Sequence, residues 1–390
     1  MKRLFSLVAG VLFFFESVGQ TTIPQIPASE ATSAASMAKW LKAHTTNSTA
    51  FQKALFSWIA NNIEYDAPNM NRPNSYKDTT AAIARTLQTK LGLCTDYAVL
   101  YAQVCKAAGI NAIVVTGYTI QEKTMLPIGS HDWIVVPDAG KWTIVDPTWG
   151  AGVVENGKFT KRLNWKWFQI YPYEANKTHV PYDPIWQLST APMGHDDIVE
   201  LSKIIRSNKG AVDIASKGKP FAFNDSIRVW MKQTRIQRLR SSASRIRSYG
   251  GAANPFIMSE LDWMDQTIKV LAANQEVEQD NRQIDAFNAI NRDYTEVVKM
   301  YNEYVRFKNS QFTPEMADAG IKKMMDGIVA KLGGVKKSLS GMMAIESIKQ
   351  NANELNDAVV EMDGRVKTEQ LFVNKYIKTV KGKRRELFFE

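Results

Sequence analysis

Cysteine and histidine are scarce in this chain of 390 residues, with two Cys at positions 94 and 105 and four His at 44, 131, 179 and 195. No spacing among them matches a zinc site, and His195-Asp-Asp197 is the nearest thing to a ligand cluster. Glycine-rich phosphate loops are missing too, since neither a P-loop nor a dinucleotide fingerprint can be matched. Any catalysis is therefore expected to need no metal and no cofactor. Long apolar runs are also lacking. The run from Leu4 to Phe15 counts twelve residues, where about 20 are needed to span a bilayer as a helix. Preceded by Lys2 and Arg3 and followed by Ser17-Val-Gly19, it reads as a signal peptide (residues 1–19) cleaved after Gly19, which predicts a secreted or periplasmic protein with no stable membrane span. No Cys follows that run, so no lipid anchor is indicated.

Segregated charge is absent as well. The formal net charge is +10, but Lys and Arg are interspersed with Asp and Glu over most of the chain, which argues against a specific nucleic-acid partner. Two basic clusters, Arg235 to Arg247 and Lys381-Gly-Lys-Arg-Arg385, read as solvated helix faces or tails. With 45% hydrophobic residues the chain can support two domains and a sizeable core.

An exported protein with two cysteines often joins them. The run Leu91-Gly-Leu-Cys-Thr-Asp-Tyr-Ala-Val-Leu-Tyr101 argues otherwise, because it leads from a loop into a helix that carries Tyr97, Ala98, Tyr101, Val104, Cys105 and Ala108 on one stripe, with Gly109 as its cap. Two cysteines eleven positions apart on one helix have Cα atoms about 16 Å apart, whereas a disulfide tolerates about 7 Å. Cys105 becomes a buried apolar residue. Cys94 becomes a free thiol at a helix N-terminus, where the macrodipole favours the thiolate.

Further along, His131-Asp-Trp-Ile-Val-Val136 and Lys141-Trp-Thr-Ile-Val-Asp146 flank the turn Pro137-Asp-Ala-Gly140. A hairpin centred between Asp138 and Ala139 sets His131 directly opposite Asp146 on one face, their Cβ atoms about 5 Å apart. A carboxylate there fixes the tautomer and orientation of the imidazole, and Cys94 supplies the nucleophile of a Cys-His-Asp triad.

These residues also resemble the transglutaminase-like superfamily. The resemblance rests on Gly92-Leu-Cys-Thr-Asp-Tyr-Ala-Val-Leu, Ala108-Gly-Ile-Asn-Ala-Ile-Val-Val-Thr-Gly117, His131-Asp-Trp and Trp142-Thr-Ile-Val-Asp-Pro-Thr-Trp149, preceded by Trp58-Ile-Ala-Asn-Asn-Ile-Glu-Tyr-Asp66. Val180-Pro-Tyr-Asp-Pro-Ile-Trp-Gln187 is similar to a continuation found in secreted Bacteroidetes-type members. The resemblance implies a papain-like fold, Cys94 as nucleophile, His131 as general base and acid, and Asp146 as the orienting carboxylate. Two positions depart from the family pattern: Asp132 where Ala is more frequent, and Ile134 where Asn is common. Strand alternation should turn Asp132 away from His131.

The expected fold class is therefore α+β. A transglutaminase-like (papain-like) core of helices packed on an antiparallel sheet is followed by an all-helical C-terminal region. Residues 20–50 read as a flexible mature N-terminus, 51–192 as the catalytic domain and 196–390 as the helical region, with helical patterns over 254–307, 313–332 and 335–380. Within the core, helices are expected near 51–63 and 79–89, a turn-rich loop at Pro68 to Ser75, and strands near 111–119, 131–136 and 141–146. The connection from Thr119 to His131 reads as a loop at the mouth of the site.

The chemistry expected is acyl transfer on a peptide or amide bond through a thioester, with a protein or peptide as substrate. Hydrolysis is favoured; the alternatives are protein crosslinking by an amine, and a non-catalytic binding module of the cell envelope whose helical region meets an envelope partner. The oxyanion donors are expected to be the Cys94 amide and one side chain, Tyr65 being the only one suggested.

Overall fold

The computed structural model describes residues 23–70, 78–121, 125–206, 220–251 and 254–389. The leader expected at 1–19 and the part of the expected turn-rich loop at 71–75 lie outside the described residues. The chain divides into two compact units, Met1–Ile268 and Lys269–Glu390.

In the first unit, α1 (Ala34–His44), α2 (Ser48–Asn62) and α3 (Thr79–Thr89) come first, each with a polar N-cap, Ser33, Asn47 and Asp78, that accepts a backbone N–H. Between α2 and α3, β1 (Glu64–Tyr65) pairs in parallel with β2 (Leu91–Gly92), and α4 (Cys94–Ala107) follows at once. The main sheet is built from β3 (Ile113–Ile120), β4 (Pro127–Asp138) and β5 (Lys141–Val145). After the short α5 (Pro147–Ala151), the hairpin β6 (Gly152–Glu155) and β7 (Lys158–Lys161), and α6 (Pro172–Ala175), the strand β8 (His179–Pro181) completes it in the antiparallel order β5-β4-β3-β8. The α+β core of helices on an antiparallel sheet is thus present.

Burial on both faces explains why β4 reads as a nearly continuous apolar run. Ile134 and Val136 face α4 and pack with Tyr97, Ala98, Tyr101, Val104 and Cys105, whereas Trp133 and Val135 face the other way, among Val115, Ile144, Ile185 and Trp186. Cys105 is buried and unbridged, and burial pushes its thiol far up.

Three local expectations need correction. Residues 26–44 do not form a flexible lead-in: Ile26, Ala31, Met37, Ala38 and Leu41 are buried in the core, and Trp58 Nε1 donates to the Ile26 carbonyl at 2.9 Å. The Thr-, Ser- and Ala-rich composition concealed a short apolar stripe that only a distant partner makes worth burying. The turn is one residue later than expected, with Asp138 paired to Lys141 and Ile134 to Val145. Ala139 and Gly140 both have positive φ, 47° and 80°, as a two-residue hairpin turn requires to match strand twist. Finally, β4 starts at Pro127, so Pro127 to Ser130 form strand rather than loop. Their pairing with Tyr118, Thr119 and Ile120 of β3 outweighs the turn-like look of Pro127, Gly129 and Ser130.

Beyond β8 come α7 (His195–Arg206), α8 (Phe223–Lys232) and α9 (Arg235–Ser248), then α10 (Pro255–Asn309). Ile198, Leu201, Ala243, Ile246, Ile257 and Met264 bury Tyr118, Ile120, Val180 and Tyr182 of the sheet, so the composition change at Asp196 falls inside the first unit.

The second unit contains the remainder of α10, α11 (Asp318–Ser340) and α12 (Lys349–Lys378). Its core includes Val297, Tyr304, Ile328, Leu332, Val335, Leu339, Val359 and Val366. The break expected between Leu332 and Val335 is absent: α11 passes through Gly333 and Gly334, because the buried stripe Leu332, Val335, Leu339 outweighs the roughly 1 kcal/mol that each glycine costs in a helix. Among the described residues no helix is long and apolar enough to cross a membrane.

Candidate active site

Cys94 opens α4, half-buried, at the end of the chain reversal that begins with β2. The β1–β2 ladder sets Tyr65 beside Gly92. Gly92 has no substitute here, since a Cβ would lie 2.8 Å from the Asp96 Cβ. Asp96 bends back to accept the Leu93 N–H at 2.8 Å, which satisfies one of the orphan donors at the helix start. Tyr97 donates to the Ile63 carbonyl at 2.9 Å, and Arg85 of α3 pairs with Asp66 at 3.3 Å. The turn that carries Cys94 is therefore braced from α2, β1 and α3.

The hairpin delivers the other two residues. Pairing between β4 and β5 ends at Ile134–Val145, so the stretch of β4 around His131 has β3 alone as neighbour. Continuing the ladder by one residue sets Asp146 opposite Trp133 rather than opposite His131. The two-residue displacement keeps the face, because side chains alternate with period two. The diagonal pair still meets: His131 Nε2 donates to Asp146 Oδ2 at 2.8 Å, and both side chains are buried. Cys94 lies within side-chain hydrogen-bonding reach of the same ring. Cys94, His131 and Asp146, predicted as a site from separate sequence blocks, come together.

Asp146 does more than orient one ring. It caps α5, its Oδ1 accepting the N–H groups of Thr148 at 2.9 Å and Trp149 at 3.1 Å. Its Oδ2 accepts a second imidazole, His179 Nε2 at 3.1 Å. His179 on β8 is 1% exposed and was missed by sequence reasoning; its strand is three residues long, and only its place directly before the Val180–Gln187 block marks it.

Ionisation follows from this arrangement. Burial opposes charge on His131, but the Asp146 carboxylate beside it and the hydrogen bond to it win, raising the imidazolium to about 10. Burial would raise Asp146, yet His131 and His179 together hold its carboxyl far below the usual carboxylate range. Burial lowers His179, which stays neutral. Tyr65 is pushed up to about 12, first by burial and then by the charges of Cys94 and Asp146, so its phenol remains a donor.

Asp132 faces the α4 side, as alternation demands, and accepts the Thr95 hydroxyl at 2.5 Å. Ile134 is fully buried core. The His195-Asp-Asp197 cluster is structural: His195 Nε2 donates to the Tyr182 carbonyl at 2.8 Å, and Asp196 and Asp197 accept the N–H groups of Gly251 and Gly194. Among the described residues His131, Asp146 and His179 are the groups close enough to hold an ion, their ligand atoms lying within 4.8 Å of one another. Each is already engaged in a hydrogen bond that an ion would replace.

Residues 35–147, which carry all three of Cys94, His131 and Asp146, match the family model of the transglutaminase-like superfamily. This segment, under a third of the chain, is transglutaminase-like. The transglutaminase-like region is similar to the kyphoscoliosis peptidases of Mus musculus and Homo sapiens, each 31% identical over 147 residues. That alignment covers 36% of this chain and 22% of each relative, so the chain spans about a fifth of the curated relatives it matches. A solved structure from Cytophaga hutchinsonii, described as a candidate cysteine protease, is similar at 25% identity with a TM-score of 0.24, covering 32% of this chain and 46% of that one.

Proposed function

We propose that this transglutaminase-like protein is a secreted cysteine acyl-transfer enzyme that hydrolyses peptide or amide bonds. The observation that carries the reading is the buried Asp146–His131 pair with Cys94 in reach of its ring. Asp146 occupies Nε2, which leaves Nδ1 for the thiol. The Cys94 sulfur adds to the amide carbonyl carbon, and the oxyanion is received by the free N–H at the start of α4 and by the Tyr65 phenol. As the C–N bond breaks, His131 gives its Nδ1 proton to the departing amine and a thioester remains. Water then adds with His131 as base, releasing the acid and restoring the thiol. An amine in place of water would make the same site a crosslinking enzyme. The peptidase name of the mammalian relatives supports water.

The test incubates the protein and its Cys94→Ala variant with peptide libraries, with and without a labelled primary amine. Cleavage by the native protein alone supports the proposal. Amine incorporation redirects it to transamidation, and equal silence of both proteins indicates a binding module. Export on the leader is part of the same proposal, and the mature secreted chain is expected to begin at Gln20.

A further inference from the structure

We infer that His179 is a positioning residue: it completes the hydrogen-bond set of Asp146 and thereby sets how strongly that carboxylate holds the His131 imidazolium. The inference rests on the acyl-transfer reading above. A carboxylate has about four lone-pair sites, and Asp146, fully buried, needs each one met from within the protein. Thr148 and Trp149 meet two through their backbones, and His131 meets a third. The fourth falls to His179. Solvent is kept from that position by the indoles of Trp133, Trp149 and Trp167, whose ring centroids lie 5.0, 4.7 and 5.4 Å from the His179 ring.

Only one form of His179 serves. Its Nε2 must carry hydrogen to reach Asp146, and the ring is neutral, so Nδ1 must accept. Thr178 Oγ1 lies 2.8 Å from Nδ1, nearer than its other acceptor, the Ala175 carbonyl at 3.3 Å, and donates there. Thr178 thus fixes the tautomer of His179, as Asp146 fixes that of His131. With ring centroids 5.6 Å apart in a dry site, the two histidines cannot both be cations at low cost. The shorter bond to Oδ2 belongs to His131. The other titratable groups acting on the cluster are Cys94 and Tyr97 of α4 and Tyr65 of β1, both phenols neutral.

Removing the His179 donor leaves Asp146 with unspent basicity, so it holds the His131 proton more tightly. His131 then stays cationic to higher pH and gives up its Nδ1 proton to the departing amine less readily. The experiment uses full-length protein labelled with 15N-histidine, follows both rings by NMR against pH, and measures the pH profile of turnover. His179→Phe keeps a ring but no donor, His179→Gln keeps an amide donor, and Thr178→Val removes the hydroxyl that selects the tautomer. In His179→Phe the ionisation constant of His131 should shift about tenfold towards the protonated form. Turnover should fall, and its alkaline limb should move up with the ring. His179→Gln should restore both towards native values, and Thr178→Val should add Nδ1–H tautomer to His179.

An unmoved His131 titration in folded His179→Phe overturns the inference. So does native His179 that is an imidazolium or an Nδ1–H tautomer at neutral pH. If His179→Phe does not fold, Thr178→Val decides: an unchanged His179 tautomer overturns the inference, and a tautomer change with a shifted His131 supports it. Equal turnover in Cys94→Ala would strike the acyl-transfer reading separately, because the ring titrations are read on protein that retains Cys94 and need no turnover.

Discussion

Replacing Asp146 with Asn probes the site most sharply, because the side chain keeps its shape while one acceptor becomes a donor. The amide has no freedom in how it sits. Its oxygen must take the Oδ1 place, where the Thr148 and Trp149 backbones can only donate, and its NH2 group must face His131 and His179. Both rings must then turn a bare Nε2 towards residue 146, so His131 presents Nδ1–H, the wrong tautomer, to Cys94. Two hydrogen bonds to a charged acceptor, worth about 1.5–3 kcal/mol each, become neutral ones worth about 1 kcal/mol, which predicts a stability loss of about 1–4 kcal/mol. The same change in an unrelated triad lowers kcat about 10⁴-fold, equivalent to about 5 kcal/mol of transition-state stabilisation, and that loss is expected here.

The pH dependence of stability has a definite sign. His131 is raised above its ordinary 6.5, so its contribution is complete below that pH and is lost as pH rises towards about 10. Asp146 is depressed below its ordinary 3.8, so its contribution is present above that pH and is lost as pH falls. Urea unfolding of native and variant proteins should therefore show the widest gap between pH 3.8 and 6.5, narrowing on both sides. A variant with kcat/KM within tenfold of native at neutral pH, or a gap that widens above pH 7, would refute the reasoning.

Iodoacetamide should label one cysteine, Cys94, in the native protein and both after unfolding, with Cys105 protected by complete burial; mass spectrometry showing equal native labelling would contradict the helix placement. Tyr65→Phe should lower turnover by about 10²-fold with stability little changed, and an unchanged kcat would remove the phenol from the oxyanion site. Gly117→Ala should cost about 3 kcal/mol in a denaturant titration, since the new methyl would lie 2.2 Å from the Val180 carbonyl oxygen and 2.5 Å from the Trp133 ring. A chain ending at residue 268 should melt cooperatively. One ending at residue 195 should bind hydrophobic dye, because it uncovers Tyr118, Ile120, Val180 and Tyr182, each worth about 1.5–3 kcal/mol buried.

The parts of this fold written in local periodicity were legible. The α4 stripe from Tyr97 to Cys105, the β4–β5 hairpin and the thiol at the helix start could all be read from neighbouring residues. The hairpin register was misjudged because Pro137-Asp-Ala-Gly contains two plausible turn centres. The His131–Asp146 pairing survived because a two-residue displacement preserves the face. Features that depend on distant partners were not legible. The burial of Ile26 and Met37, the early start of β4 and the arrival of His179 beside Asp146 depend on contacts with α4 and β3 far along the chain. The extent of the first unit, past Asp196 to Ile268, was hidden because helices covering a sheet have the same composition as helices packed on one another.

Trp149 lies in a revealing place. Its backbone N–H is held by Asp146, and its indole stacks on His131 with ring centroids 5.6 Å apart. An imidazolium quenches an adjoining indole more strongly than a neutral imidazole does, so the emission of this one tryptophan follows the proton on His131. The difference between the native spectrum and that of Trp149→Phe isolates it from the chain's other tryptophans. The protein thus contains an optical gauge of its own protonation state, readable without substrate or label.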